Sequence, residues 1–154
     1  MFMNTKKNAL FKQINDDLIN MGIPICKENM EKQIHMNVVV RRYATKGFAS
    51  TYGIKDKEKL KCPVIEYYYI HEKLKRPLLN ERHILALDIA SAYELEEINE
   101  YAYDIFDRLT HEFNEQGYIL AALKLIYVRD EDFVSVKIQE IKAEDCLLWK
   151  KEKA

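Results

Sequence analysis

Apolar residues recur at helical spacing between residues 91 and 116, which is the clearest pattern in the chain. They form one stripe, with acidic residues on the opposite side: Leu95, Ile98, Tyr101, Ala102, Ile105, Phe106, Leu109 and Phe113. Ser91 and Glu94 have the spacing of a capping box, in which each side chain satisfies a free backbone N–H of the first turn. Gly117 follows and can adopt the positive φ that commonly ends a helix. The pattern predicts a long helix over residues 91–116 that packs one face on a sheet.

A second amphipathic pattern covers residues 5–21. Its apolar residues share a narrow stripe: Leu10, Phe11, Ile14, Leu18 and Met21. Gly22 ends the pattern, and Pro24 prevents the helix from resuming. An N-terminal helix is therefore predicted over residues 5–21.

Several further runs of residues have strand character. Residues 33–43 fit a helix or a strand, and three consecutive valines within them favour a strand, because β-branched side chains lose rotamer freedom in a helix. The other runs are residues 64–70, 83–89, 118–128 and 133–142. The short polar link at 129–132 predicts an antiparallel hairpin between the last two runs. Residues 44–62 have no clear period, and we expect them to be irregular.

The order of these elements is helix, three strands, helix and two strands. Because strands and helices do not alternate regularly, the predicted class is α+β, with a mostly antiparallel sheet of about five strands. The helices at 5–21 and 91–116 would pack on that sheet. At 154 residues the chain has the length of one domain, 1–154, that can fold without a metal or a disulfide.

Composition indicates the cellular compartment and the type of genome more clearly than it indicates the function of the protein. The formal net charge is -1, so no global charge draws the chain to nucleic acid or to an anionic membrane. Cys26, Cys62 and Cys146 are scattered, which favours a reducing cytoplasm. Lysine outnumbers arginine by 18 to 6, a bias that we interpret as an AT-rich bacterial or phage genome.

The only strongly basic stretch, residues 41–61, is the first candidate binding surface. It carries seven lysines and arginines against two acids, with Tyr43, Phe48 and Tyr52 between them. Basic groups can neutralise phosphates while aromatic faces stack on planar groups. A solvated connector is the alternative interpretation of the same charges. The predicted ligand contacts begin in this stretch and continue on the neighbouring strand: Arg41, Arg42, Tyr43, Lys46, Tyr67 and Tyr69.

The strand 64–70 contains three consecutive tyrosines. Successive strand residues face opposite sides, so Tyr67 and Tyr69 share one face and Tyr68 lies on the other. Tyrosine offers a large contact area with a polar tip, which suits either a sheet lining or a binding surface.

Asp132, Glu140 and Lys142 form a different candidate site. Metal-dependent nucleases often place an aspartate before a strand that carries Glu-x-Lys, where two carboxylates hold a divalent ion and the lysine orients the attacking water. Glu140 and Lys142 would share one face of the predicted strand 133–142. The alternative interpretation is a solvated strand end in a lysine-rich chain.

No motif in the sequence names a reaction, so the leading prediction is a non-enzymatic binding protein. We expect a phage or mobile-element accessory protein, such as an inhibitor of a host system, that binds a protein or a small anionic ligand. No cofactor, metal or membrane is expected, and exposed tyrosines with opposite charges favour a cytoplasmic homo-oligomer. A metal-dependent nuclease and a nucleic-acid-binding protein that uses residues 41–61 are the alternatives.

Overall fold

The computed structural model describes residues 4–27, 32–129 and 135–152. Within them lie four α-helices: α1 (Asn4–Asn20), α2 (Lys46–Tyr52), α3 (Glu81–Ala86) and α4 (Ala92–Glu115). The same residues contain seven strands: β1 (Ile25–Cys26), β2 (Gln33–Tyr43), β3 (Lys59–Tyr69), β4 (Leu78–Leu79), β5 (Tyr118–Arg129), β6 (Val136–Gln139) and β7 (Cys146–Lys150). A short 3-10 turn, Ala143–Asp145, precedes β7.

The strands form one sheet with the order β1-β6-β5-β2-β3-β4, and β7 also pairs with β5. Neighbouring strands are antiparallel except for β1 and β6, which are parallel. The predicted α+β class with a mostly antiparallel sheet is therefore confirmed, with seven strands instead of about five. β5 and β6 pair antiparallel as predicted, although β6 ends at Gln139 rather than at residue 142.

The predicted long helix is confirmed by α4, and its capping box is formed. The Ser91 hydroxyl accepts a hydrogen bond from the Glu94 N–H at 3.1 Å, and the Glu94 carboxylate accepts one from the Ser91 N–H at 2.9 Å. Gly117 has a φ of 85°, in the left-handed region. Five residues of the apolar stripe are 0% exposed: Ile98, Ala102, Ile105, Leu109 and Phe113.

The prediction of a strand over residues 83–89 is wrong, because this segment begins within α3. The Asn80 side chain accepts a hydrogen bond from the His83 N–H at 2.9 Å, and His83 Nδ1 accepts one from the Asn80 N–H at 3.1 Å. This reciprocal cap satisfies backbone groups at the helix start, so the local chain favours a helix. Leu87 is 56% exposed, so the alternating leucines do not mark a buried strand face.

Residues 44–62 are also more regular than predicted. α2 begins after Thr45 and ends at Gly53, whose φ of 67° lies in the left-handed region, and β3 begins soon afterwards at Lys59. A helix of seven residues is too short to show its period in the sequence. The expectation of an irregular segment is therefore wrong for most of this range.

The core lies between one face of the sheet and the helices α1 and α4. α1 confirms the predicted N-terminal helix and buries Phe11, Ile14 and Leu18. Tyr127 of β5 is fully buried in the same core, where its hydroxyl donates a hydrogen bond to the Ile98 carbonyl at 2.8 Å. None of the described helices is long and apolar enough to cross a membrane.

Candidate functional site

The two faces of the sheet differ in kind. On β2, four alternate side chains lie in the core with α4 and are at most 1% exposed: Ile34, Met36, Val38 and Val40. The residues between them point to the other side of the sheet. We call the first side the helix face and the second side the polar face. The strand register places seven central residues on the polar face: Asn37, Val39, Arg41, Glu66, Tyr68, Lys124 and Ile126.

Arg41 and Glu66 form a buried ion pair on the polar face. Arg41 Nε and Nη2 lie 3.0 and 2.9 Å from the same carboxylate oxygen, Glu66 Oε1. Arg41 Nη1 donates a further hydrogen bond to the Thr45 hydroxyl at 2.9 Å. The Arg41 and Glu66 side chains are only 12% and 9% exposed. Charges persist in such a place when they are paired and hydrogen-bonded, and this pair meets both conditions.

The helix α2 contacts one side of this ion pair. The centre of the Phe48 ring lies 5.7 Å from the Arg41 guanidinium carbon, within the range of a cation–π contact. Phe48 also packs on Tyr52, with the ring centres 4.7 Å apart. These rings, together with Glu66 and neighbouring residues of β3 and β4, line a groove of about 370 Å³. The carboxylate that holds Arg41 therefore borders a groove of the size of a ligand site.

Two further polar residues continue the polar face along β2 and β3. Burial, and after it the negative charge of Glu66, raises the pKa of the Tyr68 hydroxyl, which therefore stays protonated at neutral pH. Asn37 pairs with Tyr68 across the strands and is only 6% exposed. Its Oδ1 atom is buried and has no hydrogen-bond partner among the described residues. A buried acceptor in this state is destabilising, so it is a candidate for contact with a ligand N–H or O–H group.

Lys124 brings a second cation to the polar face, opposite Val39 in the register. Its Nζ lies 3.6 Å from the Asp145 carboxylate, which comes from the 3-10 turn before β7. Burial raises the pKa of Asp145, and the hydrogen bond from the Lys142 N–H together with the charge of Lys124 only partly offsets this rise. The two side chains line a small hollow of about 80 Å³ beside Gln139. The polar face thus carries two cations, each of which is paired with one carboxylate.

Strand alternation divides the six predicted ligand contacts between the two faces. Three of them lie on the polar face or on α2 beside it: Arg41, Tyr43 and Lys46. The other three are turned towards the helix face: Arg42, Tyr67 and Tyr69. The six residues therefore do not share one surface of the sheet.

The residues on the helix face have structural surroundings. Tyr67 is 4% exposed, and its hydroxyl donates a hydrogen bond to Asn99 of α4. Burial raises the pKa of this hydroxyl, so it remains a proton donor in the core. Arg42 lines a separate groove of about 460 Å³ with Tyr103 and Phe106 of α4. Tyr67 thus fastens the long helix to the sheet, and it also lines the groove beside Glu66.

An aromatic contact lies at the Tyr43 end of β2. The ring of Tyr43 meets Trp149 of β7 edge to face, with the ring centres 5.7 Å apart. Lys57 Nζ lies 5.5 Å from the centre of the Trp149 ring. Because the Tyr43 ring is in contact with Trp149, it helps to pack β7 against this end of the sheet.

The residues of the nuclease alternative do not form a metal site in the described part of the chain. Asp132 lies outside the described residues. Glu140 and Lys142 follow the end of β6, so the prediction that they share a strand face is wrong. The Lys142 N–H instead donates a hydrogen bond to the Asp145 carboxylate at 2.9 Å. Over the described ranges, no group of three or more histidine, cysteine, aspartate or glutamate side chains could hold a metal ion.

Four members of the polar face were not predicted from the sequence: Asn37, Glu66, Tyr68 and Lys124. One signal was available, because strict alternation from Arg41 along β2 includes Asn37 and excludes Arg42. The register was not available from the sequence. It places Glu66 on one side of Val39 and Lys124 on the other, although these residues are distant along the chain.

Comparison with known proteins gives one consistent result. The family model described as SAICAR synthetase matches residues 4–154. A phosphoribosylaminoimidazole-succinocarboxamide synthase from Wolbachia sp. subsp. Drosophila simulans is 34% identical over 122 residues, which cover 78% of this chain and 51% of the relative. The chain spans about half the length of the curated relatives it matches.

Solved structures agree with this result. A crystal structure of phosphoribosylaminoimidazole-succinocarboxamide synthase from Ehrlichia chaffeensis superposes with a TM-score of 0.83 at 26% identity, covering 97% of this chain and 70% of that chain. A structure described as SAICAR synthetase (Type-2) in complex with ADP has a TM-score of 0.80 at 22% identity, covering 92% of this chain and 64% of that chain. The second likeness concerns the fold alone.

These matches overturn the functional predictions made from the sequence. A non-enzymatic accessory protein of a phage or mobile element is wrong, because the matching family and its curated relatives are synthetases. The nuclease and nucleic-acid-binding alternatives are wrong for the same reason. The prediction of self-association stays a prediction.

Proposed function

Because this chain belongs to the SAICAR synthetase family, we propose that it takes part in forming phosphoribosylaminoimidazole-succinocarboxamide (SAICAR) and that its polar face binds this compound. The name of the compound states its chemistry. A phosphoribosyl group carries a phosphate, a succinyl group carries carboxylates, and an aminoimidazole is a planar ring with N–H groups. ADP, which one solved relative holds, is likewise a planar ring joined to phosphates.

The largely buried guanidinium of Arg41, with the side chain only 12% exposed, is the single observation that carries this proposal. Arginine has five N–H donors, and three of them bond to Glu66 and Thr45. The remaining two can form charge-assisted bonds to a phosphate or carboxylate, next to the Tyr68 hydroxyl, which also interacts with Arg41. The arginine is also held on a strand in the middle of the sheet, so a ligand would not have to order it.

The surroundings of Arg41 suit the rest of such a ligand. Phe48 and Tyr52 offer aromatic faces beside the Glu66 groove, whose volume of about 370 Å³ is within the range of small-molecule sites. Asn37 precedes Arg41 by four residues on β2, which places the two residues roughly 13 Å apart along the strand. Its buried Oδ1 would accept a hydrogen bond from the end of an extended ligand that has its anionic group at Arg41.

Calorimetric titration with SAICAR tests the proposal on this chain directly. The variant is Arg41→Lys, which keeps the charge but loses the planar fork of donors. The matched control is Arg42→Lys, the same substitution one residue later on the opposite face. We expect Arg41→Lys to weaken binding at least about tenfold and Arg42→Lys to change it less than about twofold. The same titrations with ADP show whether Arg41→Lys weakens the binding of SAICAR, of ADP or of both.

Two results would overturn the proposal. One is the absence of SAICAR and ADP binding by the folded chain. The other is an equal effect of the two lysine variants, which would place the ligand away from the polar face. Circular dichroism and the melting temperature of each variant separate a loss of binding from a loss of structure.

A further inference from the structure

The geometry of the Arg41–Glu66 pair assigns a role to the carboxylate as well as to the arginine. Both bonds from Arg41 end on a single oxygen, Glu66 Oε1, at 3.0 and 2.9 Å. The bond from Nη1 to Thr45 fixes the other end of the guanidinium at 2.9 Å. Held at both ends, the planar group has one orientation rather than the many that a free arginine side chain would sample.

We propose that Glu66 is a positioning residue, which holds the Arg41 guanidinium in the orientation that receives the anionic group of the ligand. The inference rests on the proposed function, since it takes Arg41 as the ligand contact. It goes further because it gives the reason for a carboxylate in an anion site, where its charge by itself opposes the ligand. The position of Oε1, and not the negative charge, is then what the site requires.

Three contacts support a role in orientation rather than in charge balance alone. Glu66 comes from β3 and Thr45 from the start of α2, so two separate elements hold the guanidinium from two directions. The Phe48 ring lies 5.7 Å from the guanidinium carbon and limits its rotation on a third side. The two remaining N–H groups of Arg41 therefore have fixed directions before any ligand arrives, which lowers the entropy lost on binding.

The use of one oxygen makes position and charge separable by experiment. Glu66→Gln keeps an oxygen at the place of Oε1, where it can accept both bonds from Arg41, but removes the negative charge. Glu66→Asp keeps the negative charge but withdraws the carboxylate by one methylene from Arg41. Glu66→Gln therefore changes only the charge, and Glu66→Asp changes only the position of the carboxylate. If position is what matters, the two variants have different effects on ligand binding.

The matched control is a second ion pair with the same residue types on the helix face. Arg129 Nε lies 2.8 Å from Glu94 Oε2, and Arg129 Nη2 lies 3.1 Å from Glu94 Oε1. Glu94→Asp shortens this pair by the same methylene without touching the polar face. It reports the general effect on binding of a weakened fold.

SAICAR is titrated into the wild-type chain and the three variants, with the melting temperature recorded for each. If Glu66 acts by position, Glu66→Gln binds within about threefold of the wild type or more tightly, and Glu66→Asp binds at least about tenfold more weakly. Glu94→Asp binds SAICAR like the wild type, even if its melting temperature falls by as much as that of Glu66→Asp. If Glu66 only stabilised the fold through its charge, Glu66→Gln would not keep ligand binding close to that of the wild type.

The results that overturn the inference differ from those that overturn the proposed function. Equal or tighter binding by Glu66→Asp, or a tenfold loss in Glu66→Gln, would show that the position of Oε1 is not what matters. Both results leave the proposed function standing if Arg41→Lys still weakens binding. Failure of the wild-type chain to bind SAICAR would remove both ideas together.

Discussion

Two arginine–glutamate pairs lie on opposite faces of the same sheet, and their hydrogen bonds and surroundings differ. On the helix face, Arg129 makes a two-pronged contact with both oxygens of Glu94 and also donates a hydrogen bond to the Ile89 carbonyl at 2.9 Å. On the polar face, Arg41 makes two contacts with one oxygen of Glu66 and one with Thr45, and these contacts use three of its five N–H groups. The residue types are the same, but their uses differ.

The difference follows from what surrounds each pair. Glu94 is the residue that completes the cap of α4, so the Arg129 pair joins the start of the long helix to the end of β5. Arg41 and Glu66 join two adjacent strands that the sheet already holds together. The Arg129 pair therefore connects two separate elements, whereas the Arg41 pair joins two strands that are already hydrogen-bonded to each other.

The largest expected effect is on the core beneath the helix face. Phe113→Ala should lower the free energy of unfolding by about 3–5 kcal/mol, because this ring is fully buried and the substitution leaves a cavity. Tyr103→Ala on the same helix is the control, since Tyr103 is 41% exposed. Urea denaturation measures both. A loss below about 1 kcal/mol for Phe113→Ala would show that α4 packs differently.

The next effect in size concerns the ion pair of the helix face. Glu94→Ala should lower the free energy of unfolding by about 2–3 kcal/mol, because it leaves Arg129 without its carboxylate and removes half of the capping box. SAICAR binding by the folded variant should stay unchanged. A stable Glu94→Ala chain with impaired binding would reverse the division between the two faces.

A smaller effect of opposite sign is expected on the polar face. Asn37→Leu should raise the free energy of unfolding by up to about 1 kcal/mol, because it replaces a buried amide whose Oδ1 has no partner among the described residues. The same variant should bind SAICAR more weakly. Denaturation and calorimetry on one preparation test both parts, and a destabilised variant would indicate that Asn37 has a structural role instead.

The smallest effect is a dependence on pH. Burial alone would raise the pKa of Glu94, but the hydrogen bonds from Arg129 and Ser91 outweigh it and hold this pKa below its ordinary value. A lowered pKa in the folded state means that stability is present above the unfolded-state value of about 4.3 and is lost as the pH falls through the folded value. The advantage of the wild type over Glu94→Gln should therefore shrink below about pH 4. A constant difference between pH 7 and pH 3 in denaturation midpoints would contradict the assigned cause.

Local signals in the sequence were sufficient for the elements that are long or capped. α4 has an apolar stripe, a capping box and a closing glycine, all of which are visible as spacings within 27 residues. The strands β2, β3 and β5 were also recognisable, because β-branched and aromatic residues concentrate in them. α3 was mistaken for a strand, since six residues give too few positions to tell one period from the other.

Only part of the candidate site could be predicted from local sequence patterns. Arg41 stood out because it begins the basic stretch, and alternation could have removed Arg42 from the same surface. Glu66 could not be found in this way, because its relation to Arg41 depends on how β2 and β3 are aligned.

The sequence by itself determined the long helices α1 and α4 and the long strands β2, β3 and β5, together with their apolar sides, since these patterns depend on neighbours within a few turns or pleats. The tertiary structure alone decided which polar residues meet, because antiparallel register places residues from β2, β3 and β5 side by side over distances of 25 to 80 residues or more along the chain. A shift of one residue in that register would send Glu66 to the helix face, away from Arg41.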